Sequence, residues 1–501
     1  MRVVTQSTET IAEPGPSALA KQLKLQSLRS IVWTMGQVAG DQLFSFAVFV
    51  MLARLLDKPA IGTFAIAFVF MDVGRNFATA GVSQRVARAK DLSNRDLDTI
   101  FWTNVFLAAA YSLLIIALAP LAERAFGAPQ LAAVLAWLTI PVILSGAGNT
   151  HMALRLREFG HKTLAVRSVL AGLLGGACAV IAALMGAGIW ALVLQRIVRE
   201  MVCTALAWSA YRWRPGIAFD FPEARRYLKN GIDLGLAQVV TLLSLRAQDL
   251  GVARVMGPAA LSSYRVAWRC AELIGPQIVG PFATVALQTF SRLQDHREQL
   301  KTAYLSMLQQ CALVSVPALV GYAVAGPWLV PALFGPQWQD AGMIAPMLLP
   351  LALPFTIYGF VLALLAASGR ITWQRHLALL DLITTVIVTW LTVSHGLRWL
   401  ALAYSLRALL LVPLQIHLVN RVAGISIVDH ARALAKPVVG AGIMGIVAAL
   451  LFHAANPSSL LVIAALCGMA AAVYAAIIAT ILPQYRKAAQ KLVFTWTNAP
   501  A

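Results

Sequence analysis

Residues 231–281 read GIDLGLAQVVTLLSLRAQDLGVARVMGPAALSSYRVAWRCAELIGPQIVGP. The run divides into two apolar segments, 231–255 and 260–283, each long enough to cross a bilayer. Between them they carry Asp233, Arg246, Asp249, Arg254, Arg265, Arg269 and Glu272. A charge at the bilayer centre costs about 2.5–3.5 kcal/mol on insertion scales, so such residues persist only where they pair, face a polar interior or meet a substrate. Arg265, Arg269 and Glu272 stand at i, i+4 and i+7 and share one helical face, with Glu272 the one acid on that face. Pro276 and Gly280 continue the stripe. The pattern predicts the wall of a water-filled path, in a helix that can bend at Gly275-Pro276 and Gly280-Pro281.

The whole chain obeys the same logic. Of its 501 residues 59% are hydrophobic and 12% charged, and its mean hydropathy is +0.74. Soluble domains carry about 25% charged residues. Apolar runs recur from Ile31 to Leu482, and they predict an all-α, polytopic membrane protein of about fourteen transmembrane helices. An even number puts both termini on one side. Most of the 40 lysines and arginines then fall in the segments on that side, and the opposite loops keep only Lys58, Arg124 and Arg398. By the positive-inside rule the termini are cytoplasmic. The net charge of +19 is thereby accounted for without nucleic acid. The five cysteines lie in apolar segments, form no CxxC, and read as packing residues without disulfide or zinc. The polar first thirty residues do not have the order of a cleaved signal peptide.

The sequence repeats. Ala53-Arg54-Leu55-Leu56 matches Ala253-Arg254-Val255-Met256, Ile61 and Phe64 match Leu261 and Tyr264, and Phe126-Gly127 matches Phe334-Gly335. The expected organisation is a cytoplasmic tail with an amphipathic helix (1–30), a six-helix lobe (31–210), a cytoplasmic linker (211–230), a second six-helix lobe in parallel orientation (231–420), two C-terminal helices (421–482) and a tail (483–501). The linker, with Trp213, Pro215, Phe219 and Pro222, is expected along the membrane surface. The longest outer loop is expected near 326–340.

Other spans also carry charge. Asp41 shares a face with Gln37 and Ser45; Asp72 and Arg75 stand at i, i+3; Arg196, Arg199 and Glu200 share one span, where Arg196 and Glu200 form an i, i+4 pair. Arg407 sits mid-span near the C-terminal end. These groups can be internal ion pairs. Arg54 and Arg254, at helix ends, are expected to snorkel to the interface. Arginine dominates the interior and lysine is absent from it. A guanidinium stays charged and grips phosphate oxygens two at a time, so the interior suits a phosphate or pyrophosphate better than a metal or an organic cation. The acids Glu272, Asp249, Glu200, Asp72 and Asp41 could serve as counter-ions or as proton- or sodium-coupling sites. No P-loop and no HExxH occurs, and Asp96-Leu97-Asp98 spells DxD only in a short inner loop, read as solvated.

Gly36-Gln37 through Leu52-Ala53-Arg54-Leu55-Leu56, then Ile61-Gly62, Gly81-Val82-Ser83-Gln84-Arg85, Thr99–Asn104, Ala119-Pro120-Leu121 and Arg155–Phe159 resemble the N-terminal part of polysaccharide exporters. The chain is similar to the Wzx-like oligosaccharide flippases of the multidrug/oligosaccharidyl-lipid/polysaccharide exporter superfamily. The resemblance implies a V-shaped pair of six-helix lobes around a cationic central cavity. It also implies a glycan on a polyprenyl pyrophosphate as cargo, moved to the periplasmic leaflet of a bacterial inner membrane. Membrane lipids and a polysaccharide polymerase machinery are the implied partners, and no cofactor is needed. The extra two helices are similar to those of fourteen-span members, which include the lipid II flippases. Arg75, Arg196, Arg199, Arg246, Arg265 and Arg269 are the positions that could line the cavity, with Arg265 and Arg269 as the pyrophosphate clamp. Two rival readings are a cation-coupled drug antiporter of the same superfamily and a membrane-embedded glycan polymerase or ligase. The arginine excess argues against the first, the short outer loops against the second.

Overall fold

The structure is a computed structural model that describes residues 40, 42–79, 86, 92–157 and 161–481. The expected tails 1–30 and 483–501, the candidate Asp41 and the Gly81–Arg85 stretch lie outside the described residues. Among the described residues the chain is helical with short connections and no strand. In chain order the helices are α1 (Gln42–Leu55), α2 (Lys58–Thr79), α3 (Asn94–Phe126), α4 (Leu131–Arg157), α5 (His161–Leu184) and α6 (Ile189–Ala210). A long kinked α7 (Phe221–Leu293) and α8 (Arg297–Phe334) follow, then short turns through 336–351. The chain ends with α9 (Ala352–Ala367), α10 (Ile371–Thr392), α11 (Leu397–Leu410), α12 (Val412–Ala423), α13 (Ile427–Ala455) and α14 (Leu460–Ile481).

Eleven of the described helices are long and apolar enough to cross a membrane, and Gln42–Leu55 is a shorter apolar one. Helix α6 carries Arg196, Arg199 and Glu200, which dilute its hydropathy. Local sequence sets several ends. Ser93 and Asp96 close a capping box at the start of α3, and Ser426 and Asp429 another at α13. Gly127 and Gly424 take left-handed backbone after α3 and α12.

Three expectations change here. The 211–230 linker is shorter than its polar composition suggests: Asp220 caps a helix that begins at Phe221. Residues 211–220 also do not lie loose. Gly216 N donates to Asp98 Oδ1 at 2.9 Å, Trp102 Nε1 donates to the Gly216 carbonyl at 2.8 Å, and Asp220 N donates to Thr99 Oγ1 at 3.1 Å. The DxD carboxylates are thus a helix cap and a buried fastener. The expected 326–340 loop is helical as far as Phe334, with Pro327 and Pro331 inside α8, because a membrane helix tolerates prolines that would end a soluble one. Finally, α7 breaks at Gly257 (φ 83°, ψ 174°), which among its interior residues is the one with non-helical backbone; Pro276 and Pro281 do not interrupt it. That φ/ψ combination is essentially reserved for glycine.

Helix α2 packs along the second limb of α7, and a single apolar cluster runs from Ile61 and Phe64 to Leu261 and Tyr264, the residues matched by the internal repeat. At the end assigned by the charge pattern to the outside, polar bonds tie the two halves. Arg54 donates from Nε to the Leu333 carbonyl at 2.7 Å and from Nη2 to that of Ala332 at 2.6 Å, so it caps α8 and does not snorkel. Trp338, fully buried, donates from Nε1 to the Ala53 carbonyl at 2.8 Å, and Lys58 pairs with Asp340 at 2.7 Å. Helices α13 and α14 lean on α8. The Lys301–Asp429 pair at 2.9 Å and the Tyr474 hydroxyl, donating to the Leu313 carbonyl at 3.0 Å, hold them there.

Where α2 crosses α7, a Cβ on Gly62 would collide with the Pro258 carbonyl. Overpacking of this kind costs about 1–3 kcal/mol. Gly62→Ala is therefore expected to lower the thermal unfolding midpoint of detergent-purified protein. Gly442→Ala, whose Cβ meets nothing within 4 Å, should leave it in place.

Candidate functional site

The two limbs of α7 fold back on each other about Gly257. Asp249 and Arg265 are each eight residues from it, and Arg265 Nη1 lies 3.6 Å from Asp249 Oδ2. In a continuous helix these two would be about 24 Å apart. The Tyr264 hydroxyl donates to Gln248 Oε1 across the same hairpin. Ion pairs extend from this contact. Arg246 Nη1 is 3.4 Å from Asp249 Oδ2, Arg265 Nη1 is 3.3 Å from Glu272 Oε1, and Arg269 Nη1 is 3.7 Å from Glu272 Oε2. Three arginines thus surround two carboxylates. The expected stripe of Arg265, Arg269 and Glu272 is present, with one correction: Glu272 is not its sole acid partner, because the hairpin delivers Asp249 to the same face.

The arginines are not equivalent. Arg265 is held by both carboxylates, and Asp249, at 4% exposure, is the most buried member of the network. Arg269 has the longest ion pair and reaches the N-terminal half, where its Nη2 donates to Ser45 Oγ of α1 at 3.2 Å. Arg246 Nε and Gln248 Nε2 are buried without a hydrogen-bond partner among the described residues.

Across from the hairpin stand α2 and α6. Arg75 Nη2 pairs with Asp72 Oδ1 at 2.9 Å, and Asn76 Nδ2 donates to the Asp72 carbonyl at 2.7 Å. The expected Arg196–Glu200 pair is not formed among the described residues. The Arg196 guanidinium instead lies over the Phe68 ring, 4.4 Å from its centroid, and its Nε is buried without a partner. The i, i+4 spacing permits the pair, but α2 places an aromatic face closer to the guanidinium. Arg196 is within electrostatic reach of Arg199, Arg75, Asp72 and Arg269, so it stands between the α2–α6 charges and the hairpin. Arg407 is outside this group: it is buried and bonded to Asp381 Oδ1 at 2.8 Å and Thr384 Oγ1 at 2.9 Å, joining α11 to α10. Arg167, among the basic residues that the charge pattern assigns to the cytoplasmic side, sits in α5 beside Asn149 of α4 at a pocket also lined by Arg75, Arg199 and Glu200. Its charge in an otherwise apolar helix was the available signal. Among the described residues no group of three or more His, Cys, Asp or Glu could hold a metal.

A family model described as polysaccharide biosynthesis protein matches residues 51–343, more than half of the chain. The chain belongs to this family. It is similar to the lipopolysaccharide biosynthesis protein WzxC of Escherichia coli (strain K12), 24% identical over 327 residues, which are 64% of this chain and 65% of that one. It is also similar to the succinoglycan biosynthesis transport protein ExoT of Rhizobium meliloti (strain 1021), 23% identical over 321 residues, 64% of this chain and 65% of that one. Each match spans a little under two thirds of the relative's length. Among solved structures, the lipid II flippase MurJ in an inward closed conformation superposes with a TM-score of 0.71 over 91% of this chain and 99% of its own, at 12% identity. An inward-facing multidrug resistance transporter of the MATE family, from the MOP superfamily, gives 0.60 over 80% and 95%, at 16% identity. The fold is therefore that of an all-α, multi-pass membrane protein, shared with these two structures.

Asp249 compensates two arginines from within the protein, and breaking a buried ion pair from one side costs about 3–5 kcal/mol. Asp249→Ala is expected to lower the thermal unfolding midpoint sharply. Asp249→Asn, which keeps the shape and an acceptor, should lower it less. Equal midpoints for Asp249→Ala and wild type would mean that the hairpin does not depend on this carboxylate.

Proposed function

We propose that this protein carries a glycan linked to a polyprenyl pyrophosphate from the cytoplasmic to the periplasmic leaflet of a bacterial inner membrane. The observation that carries the reading is the hairpin's charge balance: three arginines on two carboxylates, with guanidinium nitrogens of Arg246 and of nearby Arg196 lacking acceptors. A buried donor without an acceptor costs free energy until something supplies one. A pyrophosphate supplies several acceptors and the missing negative charge. The names of WzxC, ExoT and MurJ support the same direction, since they describe lipopolysaccharide biosynthesis, succinoglycan transport and lipid II flipping.

In this reading Arg269 is the principal contact and Arg265, fixed by two carboxylates, orients it; Arg246, Arg196, Arg199 and Arg75 are secondary contacts. Glu272 and Asp249 act as counter-ions that hold the cluster together without cargo, with Asp72 and Glu200 in the same role beside α2 and α6. The lipid tail stays in the bilayer while the head group crosses through the polar interior, which lowers the cost of moving a charge through a low-dielectric slab. The halves 31–210 and 231–420 rock against each other, with both termini cytoplasmic. The bonds at Arg54, Lys58 and Trp338 close the periplasmic end in the state described here, and a downstream polysaccharide polymerase receives the product.

The test is translocation of labelled lipid-linked glycan in proteoliposomes. A charge-assisted hydrogen bond is worth about 1.5–3 kcal/mol, so Arg269→Ala is expected to reduce transport by about tenfold or more while the protein stays folded. Arg269→Lys should restore part of it, because an ammonium keeps the charge and loses the fork. Undiminished transport in the Arg265→Ala/Arg269→Ala double variant would overturn the assignment.

A further inference from the structure

The pocket between α2, α4, α5 and α6 is not explained by a pyrophosphate clamp. It has a volume of about 350 Å³ and is lined by Arg75, Asn76, Asn149, Arg167, Arg199 and Glu200, among others. All of these belong to the N-terminal half, whereas the arginine hairpin belongs to the C-terminal half. Two of its polar groups, Asn149 Nδ2 and Arg167 Nε, are buried without a hydrogen-bond partner among the described residues. Asn76 is used internally, its Nδ2 bonded to the Asp72 carbonyl, but it leaves a side-chain oxygen on the pocket wall. The size is at the small end of ligand sites, about 300–1,000 Å³, and suits one sugar residue more than an oligosaccharide.

We propose that this pocket binds a single acidic sugar residue of the transported glycan, such as a uronic acid. The proposal rests on the flippase reading and names what that flippase selects. Arg75 is already paired with Asp72, which leaves Arg167 and Arg199 facing one glutamate on the pocket wall, so a bound group carrying a negative charge is favoured over a neutral one. Glu200 adds the second requirement. A carboxylate only accepts hydrogen bonds, so the ligand must also bring donors. A pyrophosphate esterified at both ends brings an anion but no hydroxyl donor, so it leaves Glu200 without one. A hydroxylated carboxylic acid satisfies both sides: its carboxylate takes the Arg167 and Asn149 donors, and its hydroxyls donate to Glu200 and to the Asn76 oxygen. Recognition by groups that would otherwise stay buried and unpaired is also the kind that discriminates strongly, because a ligand lacking the matching atom leaves them unpaired again. Arg196, lying over Phe68 between this pocket and the hairpin, lets the pyrophosphate sit on Arg269 while a sugar of the same head group reaches α5.

The experiment uses the full-length protein in nanodiscs and saturation-transfer NMR with three soluble probes: D-glucuronate, D-glucose and inorganic pyrophosphate. Glucuronate is expected to bind at least about tenfold more tightly than glucose. Arg167→Gln and Asn149→Ala should each weaken glucuronate about tenfold or more and leave pyrophosphate bound, whereas Arg269→Ala should do the reverse. Arg167→Lys keeps the charge and should recover part of the glucuronate signal, which separates a lost contact from a lost fold. Equal binding of glucuronate and glucose would overturn the proposal, and so would glucuronate binding that survives Arg167→Gln combined with Asn149→Ala. If glucuronate behaves as expected and lipid-linked glycan is not translocated, the flippase reading fails and the pocket stands. If translocation holds and the probes are not distinguished, the pocket assignment alone fails.

Discussion

The ion pairs that close the α7 hairpin are the constraint around which the interior is arranged. Arg246, Arg265 and Arg269 cannot be left uncompensated in a membrane protein, and Asp249 and Glu272 reach them only because the chain reverses at Gly257. The compensation is incomplete by design of composition: two carboxylates cannot neutralise three guanidiniums. A network with one carboxylate per guanidinium is a structural rivet, like Arg407 with Asp381 and Thr384, although Arg407 Nε too has no acceptor among the described residues. The same residue types thus serve two purposes in one molecule, and the difference lies in whether charge balances out within the protein. The hairpin does not balance, and the remainder is a standing preference for an anion.

This preference is spread across the two halves. Arg269 bonds to Ser45 of α1, and Arg196 of α6 lies over Phe68 of α2. The hairpin from the C-terminal half therefore faces a basic surface built by the N-terminal half. In the proposed function an anion between them is held from both sides, and a change in the spacing of the halves changes how many guanidiniums it meets. At the opposite end of α1 and α2 the contact is of another kind: the Arg54, Gln337 and Trp338 bonds are to backbone carbonyls. One junction closes on backbone carbonyls and the other keeps buried donors without acceptors among the described residues, which is the asymmetry the proposed function requires.

Much of this was legible in the sequence. Charge in an apolar segment is expensive wherever the segment lies, so Arg265, Arg269 and Glu272 stood out by composition and shared a face by spacing. The Asp249–Arg265 pair was not read, although both positions were, because it depends on the two spans folding back with Gly257 at the centre. Arg54 was misassigned for a related reason. Snorkelling is the default of a long basic side chain at a helix end, but the carbonyls of α8 that it caps come from residues 332 and 333, far along the chain. Pro327 and Pro331 suggested a loop because proline punctuates soluble helices, and in α8 they do not. Arg167 stands a few residues inside α5, where the end of a helix cannot be placed from sequence alone.

The connection between the halves decides where movement can occur. Residues 211–220 are bonded to α3 through Asp98, Thr99 and Trp102, and the Tyr227 hydroxyl in the second turn of α7 donates to Asn104 Oδ1 of the same helix at 3.3 Å. The start of α7 therefore belongs to the N-terminal half. By Gly251 the helix is against Thr389 of α10, in the C-terminal half. The passage from one half to the other takes place inside a continuous helix and not in a slack linker. The proposed rocking of the halves would then be absorbed by bending α7 between Tyr227 and Arg246, a stretch that contains Gly231 and Gly235. Each glycine weakens a helix by about 1 kcal/mol relative to alanine, which makes that stretch easier to bend than its neighbours. The network of Arg246 and Asp249 begins where that stretch ends. In the proposed function, bending on the N-terminal side of Arg246 displaces the arginine cluster relative to α1 and α2 while the hairpin keeps its own ion pairs, so the cluster moves as a unit with its anion.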